Sequence, residues 1–343
     1  MIARSLSERE RGLPYELLFL CRPGMQDQFF GFEAHEVRTP FLSARELLML
    51  PWILRRLSGS LYHSPSFSSV PGLSIPWLLT LHDLNHLTFG NPLEKVYYET
   101  VLRPFAAHSQ KILTVSKVVA LEVRQWLERR SQAPLPPIEV VPNALDPLWS
   151  AAHGTLATEY LKRWGLSHRG YFLCFSNEKP HKNLPILFRA YANYRVKTES
   201  RGERPLSLVT NVERYAAEPG VKSLREPTDP ELRALVGGAR RVYFPSRYEG
   251  FGFPPVESLL AGTPVAVSEI PAFREVLGPR ATPPAGVHWI HVDHLEGWTS
   301  AFEVKESVVD PQLQAELRET YNAATFGDRL DRVYRSILKL GGS

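Results

Sequence analysis

Cysteine is almost absent from this chain: 343 residues contain two, Cys21 and Cys174, each inside an apolar run. Two isolated thiols form neither a disulfide framework nor a four-ligand zinc pattern, and they fit a reducing cytoplasm. No apolar run approaches the roughly 20 residues that span a bilayer. The start, MIARSLSERERG, lacks the apolar stretch of a secretory signal. Low-complexity segments are missing too, and the 29 prolines are scattered among apolar runs, so they do not mark disorder. Nor is there a strong excess of one charge. The net charge is +4; residues 1–150 carry 15 basic and 14 acidic side chains, the remainder 25 and 22. So diffuse a balance argues against a nucleic-acid stripe, and no nucleic-acid partner is expected.

The most informative segment is 244–257, FPSRYEGFGFPPVE. It places Glu249 and Glu257 eight positions apart, on either side of a glycine-containing turn that opens a helix. Gly250 and Gly252 remove Cβ where a ligand approaches the backbone. Pro254 and Pro255 suit a first helical turn, where missing N–H groups cost nothing. The free N–H groups and the positive end of the helix dipole favour an anion, typically a phosphate.

Around this segment, strand-like and helix-like runs alternate. Residues 15–21, 60–63, 76–82, 112–115 and 138–141 read as short buried strands, with helices at 45–57 and 117–130. A second series reads as strands at 171–175, 206–209, 242–244, 264–267 and 289–292, with helices at 183–195, 230–236 and 255–260. Apolar strands alternating with helices imply parallel sheets covered on both faces, and two series imply two doubly wound domains. The break falls near 147–168. Ligands in open parallel sheets bind beyond the carboxyl ends of strands. Glu249, the run 177–182 and His82 all follow strand ends.

In this order the motifs resemble a known family. They are His82-Asp83-Leu84, Thr114-Val115-Ser116, Val140-Val141-Pro142-Asn143, Lys179-Pro180-His181-Lys182-Asn183-Leu184 and Asp229-Pro230-Glu231-Leu232. The Glu249-to-Glu257 stretch, Ala261-Gly262-Thr263-Pro264-Val265-Ala266 and Arg274-Glu275-Val276 follow. The set, spanning about 60 to 280, is similar to the retaining glycosyltransferases of family 4. The resemblance implies a GT-B α/β fold: two Rossmann-like domains facing a central cleft, at 1–150 and 168–326, with the tail 327–343 packing back on the first. It implies that Glu249 contacts a donor sugar and that Glu257 hydrogen-bonds the nucleoside ribose. Gly250, Phe251, Gly252 and Phe253 would lie against sugar and diphosphate, Lys182 would neutralise the leaving diphosphate, and His82 would stand near the reacting sugar.

The implied reaction moves a hexosyl group, with mannosyl a candidate, from a nucleotide-diphosphate sugar to a glycan or glycolipid acceptor, for surface polysaccharide. Departure of a diphosphate calls for positive charge and aimed donors, which a lysine and a helix N-terminus supply. No Asp-x-Asp occurs in the chain, so neither a metal nor a cofactor is expected. Two other readings stay open: a sugar-nucleotide epimerase of the same fold, and a non-catalytic nucleotide-sugar-binding protein.

Three departures from the family pattern matter. The opening strand and glycine-rich loop are missing before the helix-like segment 2–11, through truncation or a first sheet one strand short. Ser176 and Asn177 stand where the family has glycine then arginine, with Lys179 a candidate substitute contact. Thr210 and Asn211 follow the strand 206–209 where a glycine is usual. His82 and His86 are four apart, yet a zinc pair needs a helix to align them. His63 and His181 divide evenly between structure and function. The run 45–57, RELLMLPWILRRL, is either a core helix or a surface that meets the inner face of a membrane. An exposed edge in a short sheet could be covered by a second subunit.

Overall fold

The computed structural model describes residues 1–7, 13–39, 43–130, 134–150, 155–278, 283–305 and 307–340. Residues 8–11 of the helix-like opening segment and 341–343 of the tail lie outside it. The chain divides into two compact units, Met1–Ala144 with Tyr321–Ser343, and Leu145–Thr320.

The first unit opens with α1 (Ile2–Ser7), β1 (Leu18–Cys21), β2 (Glu33–Glu36), α2 (Ala44–Arg56), β3 (Tyr62–Ser64) and β4 (Trp77–Leu81). It continues with α3 (Asn85–Phe89), α4 (Pro92–Tyr97), α5 (Arg103–Ala107), β5 (Lys111–Thr114), α6 (Lys117–Glu128) and β6 (Ile138–Val140). β3, β4, β5 and β6 form a four-stranded parallel sheet in that order, and β1 pairs with β2 in a separate parallel pair. The apolar runs of β4 and β5 are explained by burial: Leu78, Leu79, Leu81, Ile112 and Leu113 are all inaccessible. Helix starts are set by side-chain caps. Ser116 accepts the Val119 amide at 3.2 Å, and Asn91 and Glu94 cap one another's backbone at the start of α4.

The second unit contains α7 (Thr155–Arg163), β7 (Tyr171–Cys174), α8 (Leu184–Ser200), β8 (Ser207–Thr210), β9 (Val221–Ser223) and α9 (Asp229–Gly238). It goes on through β10 (Arg241–Phe244), α10 (Phe253–Leu260), β11 (Val265–Ser268), α11 (Pro271–Val276), β12 (Val287–Ile290), α12 (Leu295–Glu303) and α13 (Pro311–Thr320). Its six strands are all parallel and run β12-β11-β10-β7-β8-β9. This is the doubly wound order, with a reversal between β7 and β10. The unit starts at Leu145, so the segment near 147–168, expected as a break between domains, falls within it. Arg163 of α7 holds the buried Glu231 of α9 at 2.5 Å, fastening that segment to the second unit.

Two strands escaped the sequence reading. β2 (EAHE) is charged and alternately exposed, and β9 (VKS) is a three-residue sheet edge. Neither carries the apolar run that marks an interior strand.

The last helix, α14 (Ala323–Leu338), belongs to the first unit. Asn322 caps it by accepting the Thr325 amide at 2.7 Å. Gly327 lets α1 approach, since a Cβ there would lie 2.5 Å from the Ser5 carbonyl oxygen. Tyr15 donates to Asp331 at 2.7 Å, and Asp331 also accepts from Arg335. Partly buried His63 bridges the Tyr334 hydroxyl at 2.7 Å and the Thr80 hydroxyl at 2.8 Å. Burial pushes His63 down to about 3, with His82 adding to the effect, so the ring stays neutral. His63 is thus a structural histidine joining β4 to α14.

Tyr334→Phe leaves the His63 Nδ1 without its partner inside the core. It is expected to lower unfolding free energy by about 1–3 kcal/mol. Urea titration should show an earlier midpoint at unchanged slope.

Candidate functional site

Where strand order reverses, the loops leaving adjacent strands turn to opposite faces and open a crevice. In the second unit this point lies between β7 and β10. The loop after β7 passes through Ser176, Asn177 and Lys179 into a tight turn, Pro180–Lys182, before α8. Asn183 ends that turn in the left-handed region (φ 53°), its side chain donating to the Val292 carbonyl at 3.1 Å. The loop after β10 holds Ser246 and Glu249 and leads into α10. The Arg247 amide donates to the His181 carbonyl at 2.7 Å, tying the two loops together. His181 itself is buried beneath the turn.

Lys182 and Glu249 meet here: Nζ lies 2.7 Å from Oε1, with both side chains about four-fifths buried. Ser246, itself buried, donates to the same Oε1 at 2.7 Å. One carboxylate oxygen therefore takes a cation and a hydroxyl, and among the described residues Oε2 has no hydrogen-bond donor. Ser246 was not singled out from sequence. Its position three residues before the glutamate was the available signal. Beneath the pair, burial pushes the Cys174 thiol up to about 12, so it stays an inert thiol.

Helix α10 begins at Phe253, with prolines at its second and third positions. These remove two of the orphan donors of a helix start, leaving the amides of Gly252 and Phe253 to meet an anion. Gly252 has φ +123°, and a Cβ there would approach the Phe273 ring to 2.9 Å. Both backbone and space demand glycine. Gly250 and Phe251 are buried in the same turn, and the Phe251 and Phe253 rings lie 5.0 Å apart. Glu257 follows one turn into the helix and is half-buried. Its carboxyl makes no hydrogen bond or ion pair among the described residues. Burial, then the charge of Asp146, pushes it up to about 7.

The departures at Ser176, Asn177 and Asn211 turn out to be one feature. The Asn211 side chain, after β8, accepts the Ser176 amide at 2.9 Å. The Asn177 side chain accepts the Lys179 amide at 3.2 Å, and Ser176 donates to the Asn177 carbonyl at 3.0 Å. Asn177 thus shapes its own loop, while the Lys179 side chain is exposed.

His82 belongs to the first unit, just past β4. Its ring is exposed, and Nε2 lies 2.9 Å from the Pro65 carbonyl oxygen. His86 sits on α3 instead, against the Tyr98 hydroxyl at 3.0 Å. Among the described residues no group of three or more His, Cys, Asp or Glu side chains could hold a metal ion.

Residues 159–288 match the family model described as "Glycosyl transferases group 1". The chain is 27% identical over 241 residues to the O-antigen chain mannosyltransferase RfbU of Salmonella typhimurium, covering 68% of this chain and 61% of that protein. It is 29% identical over 257 residues to O-antigen chain mannosyltransferase B of Escherichia coli, covering 70% and 66%. The chain therefore spans less than two thirds of the length of either relative. Among solved structures it resembles Anabaena HepE in complex with UDP and glucose, with TM-score 0.68 at 15% identity over 98% of this chain and 96% of that one. A likeness of that extent establishes the fold: the two α/β units are those of a GT-B protein.

Two outcomes follow from this geometry. Gly252→Ala must shift either the turn or Phe273, and it is expected to cost about 1–3 kcal/mol in thermal or urea unfolding. Glu257 tests the pH linkage. Its folded value lies above the usual 4.5, so its contribution to stability is full below about 4.5 and is lost as pH rises through about 7. Glu257→Gln abolishes that loss. Relative to the parent it should gain on the order of 1–2 kcal/mol between pH 5 and pH 8, allowing for solvent at a half-buried group. Paired thermal melts across that range would show it.

Proposed function

We propose that the protein is a retaining glycosyltransferase that moves a hexosyl group, of mannosyl type, from a nucleotide-diphosphate sugar to a glycan or lipid-linked acceptor. The observation that carries this reading is the Lys182–Glu249 pair at the switch point of the second sheet, one loop away from an α10 start built for an anion. The group 1 match over 159–288 covers these residues. Two relatives described as O-antigen chain mannosyltransferases support the choice of sugar and product class.

In this reading Lys182 faces the diphosphate and offsets the charge that grows on it as the glycosidic bond breaks. The amides of Gly252 and Phe253 share that charge with the rest of the turn through Gly250 and Phe251. Glu249 accepts hydroxyl donors of the donor sugar through Oε2, held in place by Lys182 and Ser246 through Oε1. Glu257 accepts ribose hydroxyls. Lys179 adds a mobile cation, and Asn177 serves through the loop that it shapes. His82 is the proposed catalytic residue of the first unit. The reaction so described calls on no metal.

Incubation with GDP- and UDP-sugars, with and without glycan or lipid-linked acceptor, tests the proposal through release of nucleoside diphosphate. Acceptor-dependent release with an anomeric configuration kept in the product is expected. An epimerised sugar formed without acceptor would instead indicate an epimerase, and binding without turnover a non-catalytic protein. Lys182→Ala and Glu249→Gln are each expected to lower kcat/KM about 100- to 1000-fold, the scale of removing one group that stabilises a transition state. Unchanged kcat/KM in Glu249→Gln would sink the site.

A further inference from the structure

We propose that the outer face of α2 is a docking surface for an anionic lipid bilayer. On this helix Arg45, Leu48, Met49, Trp52, Arg55 and Arg56 are exposed, whereas Glu46, Leu50 and Leu54 are buried. At the α-helical 100° per residue, the six exposed positions fall within an arc of about 120°. Leu48 is 78% exposed and Trp52 47%, values far from those of a core helix. The Arg56 guanidinium lies over the Trp52 ring at 3.5 Å, and Arg55 reaches the Gly72 carbonyl at 3.3 Å.

The acid of this helix is turned away. Glu46 is 8% exposed and accepts the Ser68 hydroxyl at 2.8 Å on the inner side. The outer face therefore carries three cations, three large apolar side chains and no carboxylate. The helix thus has one buried face and one exposed face that is both basic and apolar.

Charge complementarity selects the occupant. Three arginines attract an anionic surface, and interleaved leucine, methionine and tryptophan gain only where that surface also has apolar depth. Headgroups above acyl chains offer both, with arginine stems lying along the apolar layer and guanidinium groups at the phosphates. A second copy of this chain docked face to face about a two-fold axis would set arginines against arginines. No helix among the described residues is long and apolar enough to cross a membrane, so the contact is one of lying on the surface.

The proposal does not depend on the transferase reading, because vesicle binding needs neither donor nor acceptor. The test sediments the full chain with vesicles of phosphatidylcholine and phosphatidylglycerol, and with phosphatidylcholine alone. Binding to the mixed vesicles only is expected. Exchanging both Leu48→Ser and Trp52→Ser should weaken it about tenfold or more. Exchanging both Arg55→Ala and Arg56→Ala should weaken it about 25-fold at low salt, with little difference left at high salt. The altered side chains are exposed, so unchanged thermal midpoints confirm that folding is intact. Failure to bind anionic vesicles, equal binding to phosphatidylcholine alone, or variants that bind like the parent would each overturn the proposal. So would a dimer in solution that either double exchange dissolves.

Discussion

The reversal of strand order in the second sheet is the constraint on which the candidate site depends. β7 and β10 are neighbours, yet their following helices cover opposite faces, so the two loops must part at the carboxyl edge. A crevice made that way is open to ligand, but its walls are loops. Two backbone features keep them in place here. Asn183 and Gly252 each take a positive φ, ending one turn and opening the other. The Arg247-to-His181 hydrogen bond then joins the loops before any side chain is considered. Lys182 and Glu249 meet because the backbone has already brought them together.

The two glutamates eight residues apart occupy opposite electrostatic settings. Glu249 is held by a cation and a hydroxyl, both at Oε1. Glu257 is half-buried, makes no ion pair among the described residues and feels the charge of Asp146, which is why its carboxyl keeps a proton to about pH 7. Hydroxyl donors arriving at Glu257 would supply what its surroundings lack, favouring the ionised form.

Much of this was legible in the sequence where function depends on local pattern. The inner strands showed as apolar runs because both faces of a parallel sheet are covered. The helix start at 253 showed through its glycine and prolines. What depends on two loops meeting was not legible. Ser246 reads as one more loop serine until Glu249 folds back onto it. The exchanges at Ser176 and Asn211 look like two separate losses of family pattern, yet one hydrogen bond joins them across β7 and β8. The polar strands β2 and β9 escaped because edge strands have no reason to be apolar. His63 could not be decided from sequence, since its two partners come from positions 17 and 271 residues away.

Net charge proved the wrong scale for reading the first unit. A balance of +4 over 343 residues implies little about partners, because the charges are spread over the chain. At physiological salt a surface charge is felt over roughly 8–10 Å, a distance of one or two helical turns. What an approaching surface meets is therefore the local set of side chains, and on the outer face of α2 that set is three arginines with no acid. The segregation is made by folding: Glu46 is one residue from Arg45 in sequence but points to the other side, where Ser68 holds it. A sum along the chain cancels the two, whereas the helix separates them. The same reasoning applies at α10, where the positive end is a property of backbone amides and appears in no count of charged residues.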